Sequence, residues 1–329
     1  MKRREFIAGL GGAAASWPFA AAMPALGQQS ARIARVGVLT PADNERTPGF
    51  DALRKELREL GYIEGKSIVF DFRLAKGHTE ALPGLAAELA QIPVDVIVTS
   101  GTTAVLAAAK TTQTIPIVQG AGGDLVRAGL AASLARPGGN VTGFTILTDE
   151  PSGKRLELLR RAVPTIKSVT VMLDPTSVVT PPQLRATEGA AATLGIRLAK
   201  LPISTPEEVD ALRPSALAGS DGLMVLPGAM FYNHRATIIT LAATARVPAI
   251  YPSREFADDG GLIAYGPNVS QAYRRAAGYV DRILRGAKPG DLPIEEASKL
   301  EFIVNFHTAR QLGLSLPVNF VAEADEVIE

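Results

Sequence analysis

From Arg32 onward the chain alternates between short apolar runs rich in β-branched residues and longer segments whose apolar residues recur at helical spacing. IARVGVL (33–39) crowds Ile, Val and Leu into a run that stops at Pro41, as a buried strand does. FDALRKELRELGY puts Leu53, Leu57 and Leu60 at helical spacing and closes at Gly61. SIVFDFR (67–73) predicts the next strand and ALPGLAAELAQ (81–91) the next helix. VDVIVTS (94–100) then leads into the helix GTTAVLAAAK (101–110), and the strand IPIVQ (115–119) into a glycine-rich loop. LVRAGLAASLA (125–135) reads as a helix, followed by the turn RPGGN and the strand VTGFTIL (141–147). Strands separated by helices of this length predict a parallel sheet covered on both faces.

The alternation then restarts. GKRLELLRRAVP predicts a helix, SVTVMLD (168–174) a strand, and Pro181-Pro182 sits where prolines suit a helix start. IRLAKLPI, DGLMVLP, VPAIYP and GLIAYGP supply further strands with helices between them. The last amphipathic helix, YRRAAGYVDRILRG, follows a break at Gly266-Pro267, which suggests that the chain returns to its first unit. The expected fold is α/β, with two doubly wound, Rossmann-like lobes joined by a multi-strand hinge. The expected lobes are 32–145 with 268–290, and 146–267 with 300–329. Lobes tied by several short segments can open and close without drifting apart.

In open α/β sheets, ligands sit beyond the carboxyl ends of the strands. Here those ends carry Thr40, Ser100-Gly101-Thr102-Thr103 and Gly120 to Asp124 in the first unit. In the second they carry Asp174-Pro175-Thr176, Pro227 to Asn233, Tyr251-Pro252-Ser253 and Tyr265 to Asn268. Ser100 to Thr103 offer backbone N–H groups at a helix start, beside threonine hydroxyls, to a carboxylate; Ser100 or Thr102 could equally cap that helix. Asp124 and Asp174 are candidates for an ammonium group, with a cap or a surface charge as the alternative. Phe231, Tyr251 and Tyr265 could stack on a ring or shield an aliphatic tail, or belong to the core.

The glycine loop around Gly122, IVQGAGGD, does not meet the pattern of a dinucleotide site. That pattern needs G-x-G-x-x-G after the first strand of a unit, whereas this loop follows the fourth and has Leu125 in place of the third glycine. A Gly-Lys-Ser/Thr phosphate loop is missing from the whole chain. Bare backbone brought close to a small ligand accounts for the glycines, as does tight packing alone.

Charge and composition narrow the function further. MKRREFIAGLGGAAASWPFAAAMPALGQQS has a basic start, an Ala/Gly-rich apolar stretch and small residues at Ala25 and Gly27, the layout of a secretory signal cleaved near Gly27. Arg3-Arg4 before Glu5-Phe6-Ile7 suggests twin-arginine export, with an ordinary Sec signal as the alternative. Removing 1–27 takes away three cations and one anion from a chain of net charge +1, so the mature protein is near neutral and no nucleic-acid partner is expected. Without cysteine there is no lipid anchor, disulfide or thiolate metal site. His78, His234 and His307 lack metal-ligand spacing, and no G-x-S-x-G elbow occurs. Asp258-Asp259 before Gly260-Gly261 reads as a turn, and Arg254-Glu255 as a cleft pair or a solvated helix face. No nucleophile, base and orienter can be connected, so neither an enzyme nor a cofactor is expected.

Several long motifs, in order, resemble a known family. LRELGYIEGKSIVFDFR, LAAELAQIPVDVIVTSGTTAVLAAAKTTQTIPIV and GLAASLARPGGNVTGFTIL resemble the ABC-transporter substrate-binding family that includes tryptophan/tyrosine-binding proteins. GKRLELLRRAVP, PAIYPSREFADDGGLIAYGPN and ILRGAKPGDLPIEEASKLEFIVNFHTARQLGL continue the resemblance across the mature chain. It implies a type I periplasmic-binding fold with three hinge crossings and a solute between the lobes. It places Ser100 to Thr103 on the first wall with Asp124 nearby, and Tyr251, Ser253 and Tyr265 on the second wall or hinge. Where family members often have Gly-Asp-Pro and Asn-Pro, this chain has Gly123-Asp124-Leu125 and Asp174-Pro175. The expected partners are a small solute, with an amino acid or related carboxylate favoured, and an ABC permease in the inner membrane; a periplasmic monomer is expected. A ligand-sensing subunit for a receptor, or an enzyme on the same scaffold, is the alternative.

Overall fold

Five strands open the chain: β1 (Ala34–Thr40), β2 (Ile68–Leu74), β3 (Val96–Ser100), β4 (Ile117–Gly122) and β5 (Val141–Thr145). Five more follow: β6 (Ser168–Leu173), β7 (Arg197–Pro202), β8 (Gly222–Val225), β9 (Ala249–Tyr251) and β10 (Ile263–Pro267). The last three are β11 (Glu295–Glu296), β12 (Leu300–Asn305) and β13 (Glu326–Ile328). This computed structural model describes residues 32–146, 149–296 and 300–329, so the leader expected over 1–27 lies outside the described residues.

The strands form two sheets. The first runs β11-β5-β4-β3-β1-β2 and is parallel throughout; the second runs β13-β12-β10-β9-β8-β6-β7, with only β12 antiparallel to β10. Each therefore contains the same doubly wound order, in which the strand second in sequence lies outside the first and the others follow on its far side. Inner strands are apolar along their length because helices cover both faces; every residue of β6 is buried. Edge strand β7, RLAKLP, is polar and largely exposed, as one open side requires.

Helices Pro48–Glu59 and Val269–Leu284 pack together on one face of the first sheet through Phe50, Leu53, Leu57, Tyr273, Tyr279 and Val280. Burying each large side chain contributes roughly 1.5–3 kcal/mol. Helices Leu82–Ala90 and Thr102–Thr111 cover the other face through Leu89, Ala104, Val105 and Ala108. The chain passes from the first sheet to the second between Ile146 and Asp149, returns after Pro267, and crosses again between Glu296 and Leu300.

LVRAGLAASLA differs from the helix its composition suggests. It forms successive turns, with Asp124 Oδ1 accepting from the backbone N–H groups of Val126 and Arg127, and Gly129 at φ 72°. The left-handed glycine ends the first turn, and Ala132 N–H donates to the carbonyl of Pro137 instead of continuing a helix. Leu125 still reaches the core, so the apolar residues are buried without the helical backbone.

Candidate functional site

The carboxyl ends of β1, β3 and β4 meet those of β6, β8, β9 and β10 around one cavity. Its volume is about 180 Å³, an order of magnitude more than one water needs. Thr40, Ser100, Gly101, Thr102, Thr103 and Gly122 line it from the first sheet; Asp174 and Ser253 line it from the second.

The first wall is built around Gly101. Its φ of 80° lets the chain turn from β3 into the helix Thr102–Thr111, and no side chain caps that helix. The N–H groups of the first turn are thus not used within the helix and face the cavity end. Thr102 is committed: its Oγ1 accepts the N–H of Gly123 at 2.8 Å, which pins the glycine loop to the helix start. A Cβ at Gly122 would strike the side chain of Gln119, whose Nε2 donates to the carbonyls of Phe144 (2.7 Å) and Gly123 (3.1 Å). Close packing on a buried glutamine accounts for this glycine, and no phosphate cradle is formed.

The second wall contains Asp174 and Ser253. Asp174 Oδ1 accepts from both the N–H and the hydroxyl of Thr176, so it caps its own turn while lining the cavity. Ser253 stands at the N-cap of the helix Arg254–Asp258 without capping it, and its buried hydroxyl has no hydrogen-bond partner among the described residues.

Four sequence-derived candidates sit elsewhere. Phe231 and Tyr251 are fully buried in the second sheet's core, where Tyr251 stacks on Phe256 at 4.9 Å. Burial pushes the Tyr251 pKa up. Tyr265 packs edge-on against Phe302 and supplies a backbone carbonyl rather than its ring. Asp124 caps the turn after the glycine loop and does not line the cavity. Adjacent strand residues point to opposite faces, and an aromatic at a strand end is as readily turned inward as toward a ligand.

Tyr273 was not named from the sequence, and Tyr232 and Asn233 lie in the strand-end stretch Pro227 to Asn233 without having been singled out there. Tyr232 and Asn233 come from the short helix after β8, and Tyr273 from the helix Val269–Leu284. Tyr232 and Tyr273 hydroxyls and Asn233 Nδ2 are buried without hydrogen-bond partners of good geometry among the described residues. Burial raises the pKa of both tyrosines; Glu255 adds to the rise at Tyr232, and Ser100 opposes it at Tyr273.

Arg155 is the other omission. It is fully buried beneath the cavity, and its guanidinium donates to the carbonyl of Tyr265 (2.6 Å), the hydroxyl of Ser152 (3.2 Å) and the carbonyl of Pro252 (3.5 Å). Burial lowers its pKa to about 9, and no carboxylate among the described residues pairs with it. It ties the helix Asp149–Ala162 to the ends of β9 and β10, next to the crossing at Pro267. A signal was present: Ser152, Arg155, Leu159 and Ala162 share one helical stripe, and a cation on such a stripe marks a buried polar tie.

The two halves also touch at the mouth. His234 Nε2 is 3.4 Å from Asp43 Oδ2, and His78 Nε2 is 3.4 Å from Glu207 Oε1. Gly77 packs directly on Pro206. Among the described residues no cluster of His, Asp and Glu could hold a metal ion, and no helix is long and apolar enough to cross a membrane.

Two doubly wound sheets, three crossings and a cavity walled by both define a type I periplasmic-binding fold. The sequence profile of ABC transporter substrate binding proteins matches residues 36–328, so the chain belongs to that family and is a substrate-binding protein of an ABC transporter. It is 27% identical over 260 residues to a tyrosine-binding protein of Clostridioides difficile (strain R20291), covering 79% of this chain and 75% of the relative. A conserved domain protein from Vibrio cholerae superposes with a TM-score of 0.79 at 28% identity, over 90% of this chain and all of the other. The ABC domain from Streptococcus pneumonia in complex with L-Trp gives 0.78 at 21% identity, over 90% of this chain and 99% of its own, and shares the fold.

Proposed function

We propose that this chain is the periplasmic receptor of an ABC importer. It binds a small solute between two lobes, closes on it by hinge motion and presents the closed form to a permease in the inner membrane. The lobes are residues 32–145 with 268–290, and 146–267 with 300–329. The leader over 1–27 takes the protein to the periplasm, where it acts as a monomer without cofactor or catalysis.

One observation carries this reading: one cavity is walled by strand ends of both sheets and keeps buried hydroxyls of Ser253, Tyr232 and Tyr273 without hydrogen-bond partners among the described residues. Each such group costs about 1–3 kcal/mol while it stays unpaired, and a bound ligand removes that penalty. A ligand touching both walls stabilises the closed arrangement over the open one by its differential contacts.

The solute of the proposal is an amino acid or related small carboxylate, with an aromatic side chain the first choice. The tyrosine-binding relative supports that choice. So does the helix start at Thr102 and Thr103, which offers N–H groups and hydroxyls to a carboxylate. Thr40, Ser100, Gly101, Gly122, Asp174 and Ser253 complete the contact surface, while Asp124, Phe231, Tyr251 and Tyr265 hold the walls from behind.

The test is thermal unfolding of the mature protein, refolded to strip carried-over ligand, against amino acids and small carboxylates. A ligand at 100 times its dissociation constant adds about 2.7 kcal/mol of stability, a plain shift in midpoint. One selective shift that Thr102→Ala abolishes supports the reading. A folded protein with a blank panel would sink amino-acid uptake.

A further inference from the structure

Among the described residues, two charged side chains line the main cavity, Arg155 and Asp174. Arg155 belongs to the helix Asp149–Ala162 and is fully buried. Three of its five N–H donors have acceptors: Nε on the Tyr265 carbonyl at 2.6 Å, Nη1 on the Ser152 hydroxyl at 3.2 Å and Nη2 on the Pro252 carbonyl at 3.5 Å. All three acceptors are neutral. A Cβ at Gly266 would stand 3.2 Å from Nη2, so the guanidinium is packed tightly against β10. Asp174 does not neutralise it. Asp174 follows β6, whereas Arg155 reaches the ends of β9 and β10. The sheet order β10-β9-β8-β6 sets at least two strand spacings, roughly 10 Å, between those places. Oδ1 of Asp174 is already engaged by the N–H and hydroxyl of Thr176.

A buried cation without a counter-charge costs the fold stability. The tie to two carbonyls and a hydroxyl explains a donor at this place, but a neutral donor would make the same bonds. Burial lowers the pKa to about 9, so the charge persists at neutral pH. It stands in a wall that also carries Ile146, Val179, Pro227 and Met230. In such apolar surroundings a charge acts over several ångströms with far less screening than in water.

We infer that Arg155 is a specificity-determining residue of the cleft: its buried charge, which no carboxylate among the described residues balances, makes the cavity select solutes carrying a carboxylate over their neutral isosteres. The inference rests on the cavity being a solute site. A bound carboxylate supplies the counter-charge that the chain itself lacks there. The helix start at Thr102 and Thr103 adds N–H groups of the same sign on the opposite wall, so the two walls favour the same charge on the solute. Arg155 is buried behind the lining surface and acts by its charge more than by direct contact. A lysine in its place should therefore preserve the selection while weakening the tie.

The experiment is calorimetric titration of refolded wild type, Arg155→Lys and Arg155→Met with L-tyrosine, L-tryptophan, L-phenylalanine, L-leucine and their des-amino acids, each beside its primary amide. Denaturant midpoints of the ligand-free proteins are measured alongside. Wild type is expected to bind at least one acid about tenfold or more tightly than its amide. Arg155→Met should lower that ratio about fivefold or more, while Arg155→Lys should keep at least half of it. Both variants should unfold at lower denaturant than wild type, so selectivity and stability separate only if the charge does the selecting. An amide bound as tightly as its acid by wild type, or a smaller drop in Arg155→Met, overturns this inference while the receptor reading stands. Equal loss of the ratio in Arg155→Lys and Arg155→Met assigns the residue a structural role and overturns it too. If Arg155→Met does not fold, Arg155→Gln, neutral and still a donor, is judged by the same thresholds. Binding of no compound by folded wild type overturns both.

Discussion

His234 and Asp43 face each other across the mouth of the cavity at 3.4 Å, one anchored beside each sheet. Asp210 stands on the far side of the same imidazole at 3.7 Å. In the hinge closure proposed above, a contact that joins the halves exists only when they are close, so removing one should shift the balance toward an open form. Asp43→Ala is expected to weaken ligand binding less than about fivefold, since a partly exposed pair contributes under about 1 kcal/mol. Titration of the variant against wild type measures the change.

Gly123 is packed between Thr102 Oγ1 and Val179 Cγ1, at 2.8 Å and 3.0 Å from where a Cβ would stand. Val179 belongs to the second half, so a side chain here obstructs approach of the halves. Gly123→Val is expected to lower affinity tenfold or more while leaving most of the ligand-free stability intact. Paired calorimetry and thermal unfolding separate the two effects.

Tyr251 and Thr102 should respond in opposite ways. Tyr251→Ala empties a fully buried ring from the core and should cost about 3–5 kcal/mol of stability. Thr102→Ala loses one hydrogen bond to the glycine loop, about 1 kcal/mol, but removes a cavity-lining hydroxyl and should lose affinity. Denaturant unfolding of both proteins, with ligand titration of Thr102→Ala, checks this.

Arg155→Met keeps the stem and deletes the guanidinium that ties Tyr265, Pro252 and Ser152 together. The two carbonyls and the hydroxyl lose a charged donor in a buried place, so about 2–4 kcal/mol of stability should go. Arg155→Lys should recover only part, because an ammonium cannot reach the same partners in one plane. Denaturant midpoints of the three proteins rank the outcome.

Asp221 supplies a pH-dependent contribution. Its carboxylate accepts the N–H groups of Lys167 and Ser168 at 2.9 Å and the Ser168 hydroxyl at 3.0 Å. The Lys167 N–H, then the Ser168 hydroxyl and N–H, hold its pKa below the usual range. A depressed folded-state pKa means the unfolded chain takes up the proton first as pH falls. The stabilisation is complete above about pH 5 and is lost as pH drops through the folded pKa. Asp221→Asn should therefore be less stable than wild type at pH 7 by under about 1 kcal/mol, discounted because the group is exposed. The gap should shrink on acidification, as read from urea midpoints across pH.

The repeated strand-helix alternation was legible because its cause is local. Val36, Val38 and Leu39 are crowded together in β1, and Leu53 and Leu57 recur at helical spacing, since a strand covered on both faces and a helix covered on one need those patterns. The loops of the cavity were legible for a related reason: β1, β3, β4, β6, β8, β9 and β10 all end there, and strand ends can be located from composition. Direction within those loops was not. Thr102 and Ser253 face the cavity while Tyr251, two residues before Ser253, turns into the core. LVRAGLAASLA had helical composition, yet Gly129 and the Asp124 cap turn it into successive turns.

The sequence by itself thus determined the class of fold, the order of elements and the loops from which a site could be assembled. Each of these follows from interactions within a few residues of chain, or from a family resemblance spread along it. Only the tertiary structure decided that Tyr232 and Tyr273 line one cavity, and that Arg155 is buried beside it with no carboxylate partner among the described residues. Those residues come from three separate helices, and their chemistry depends on burial and on what stands opposite. Both are set by how the sheets and crossings close in space, which no local pattern encodes.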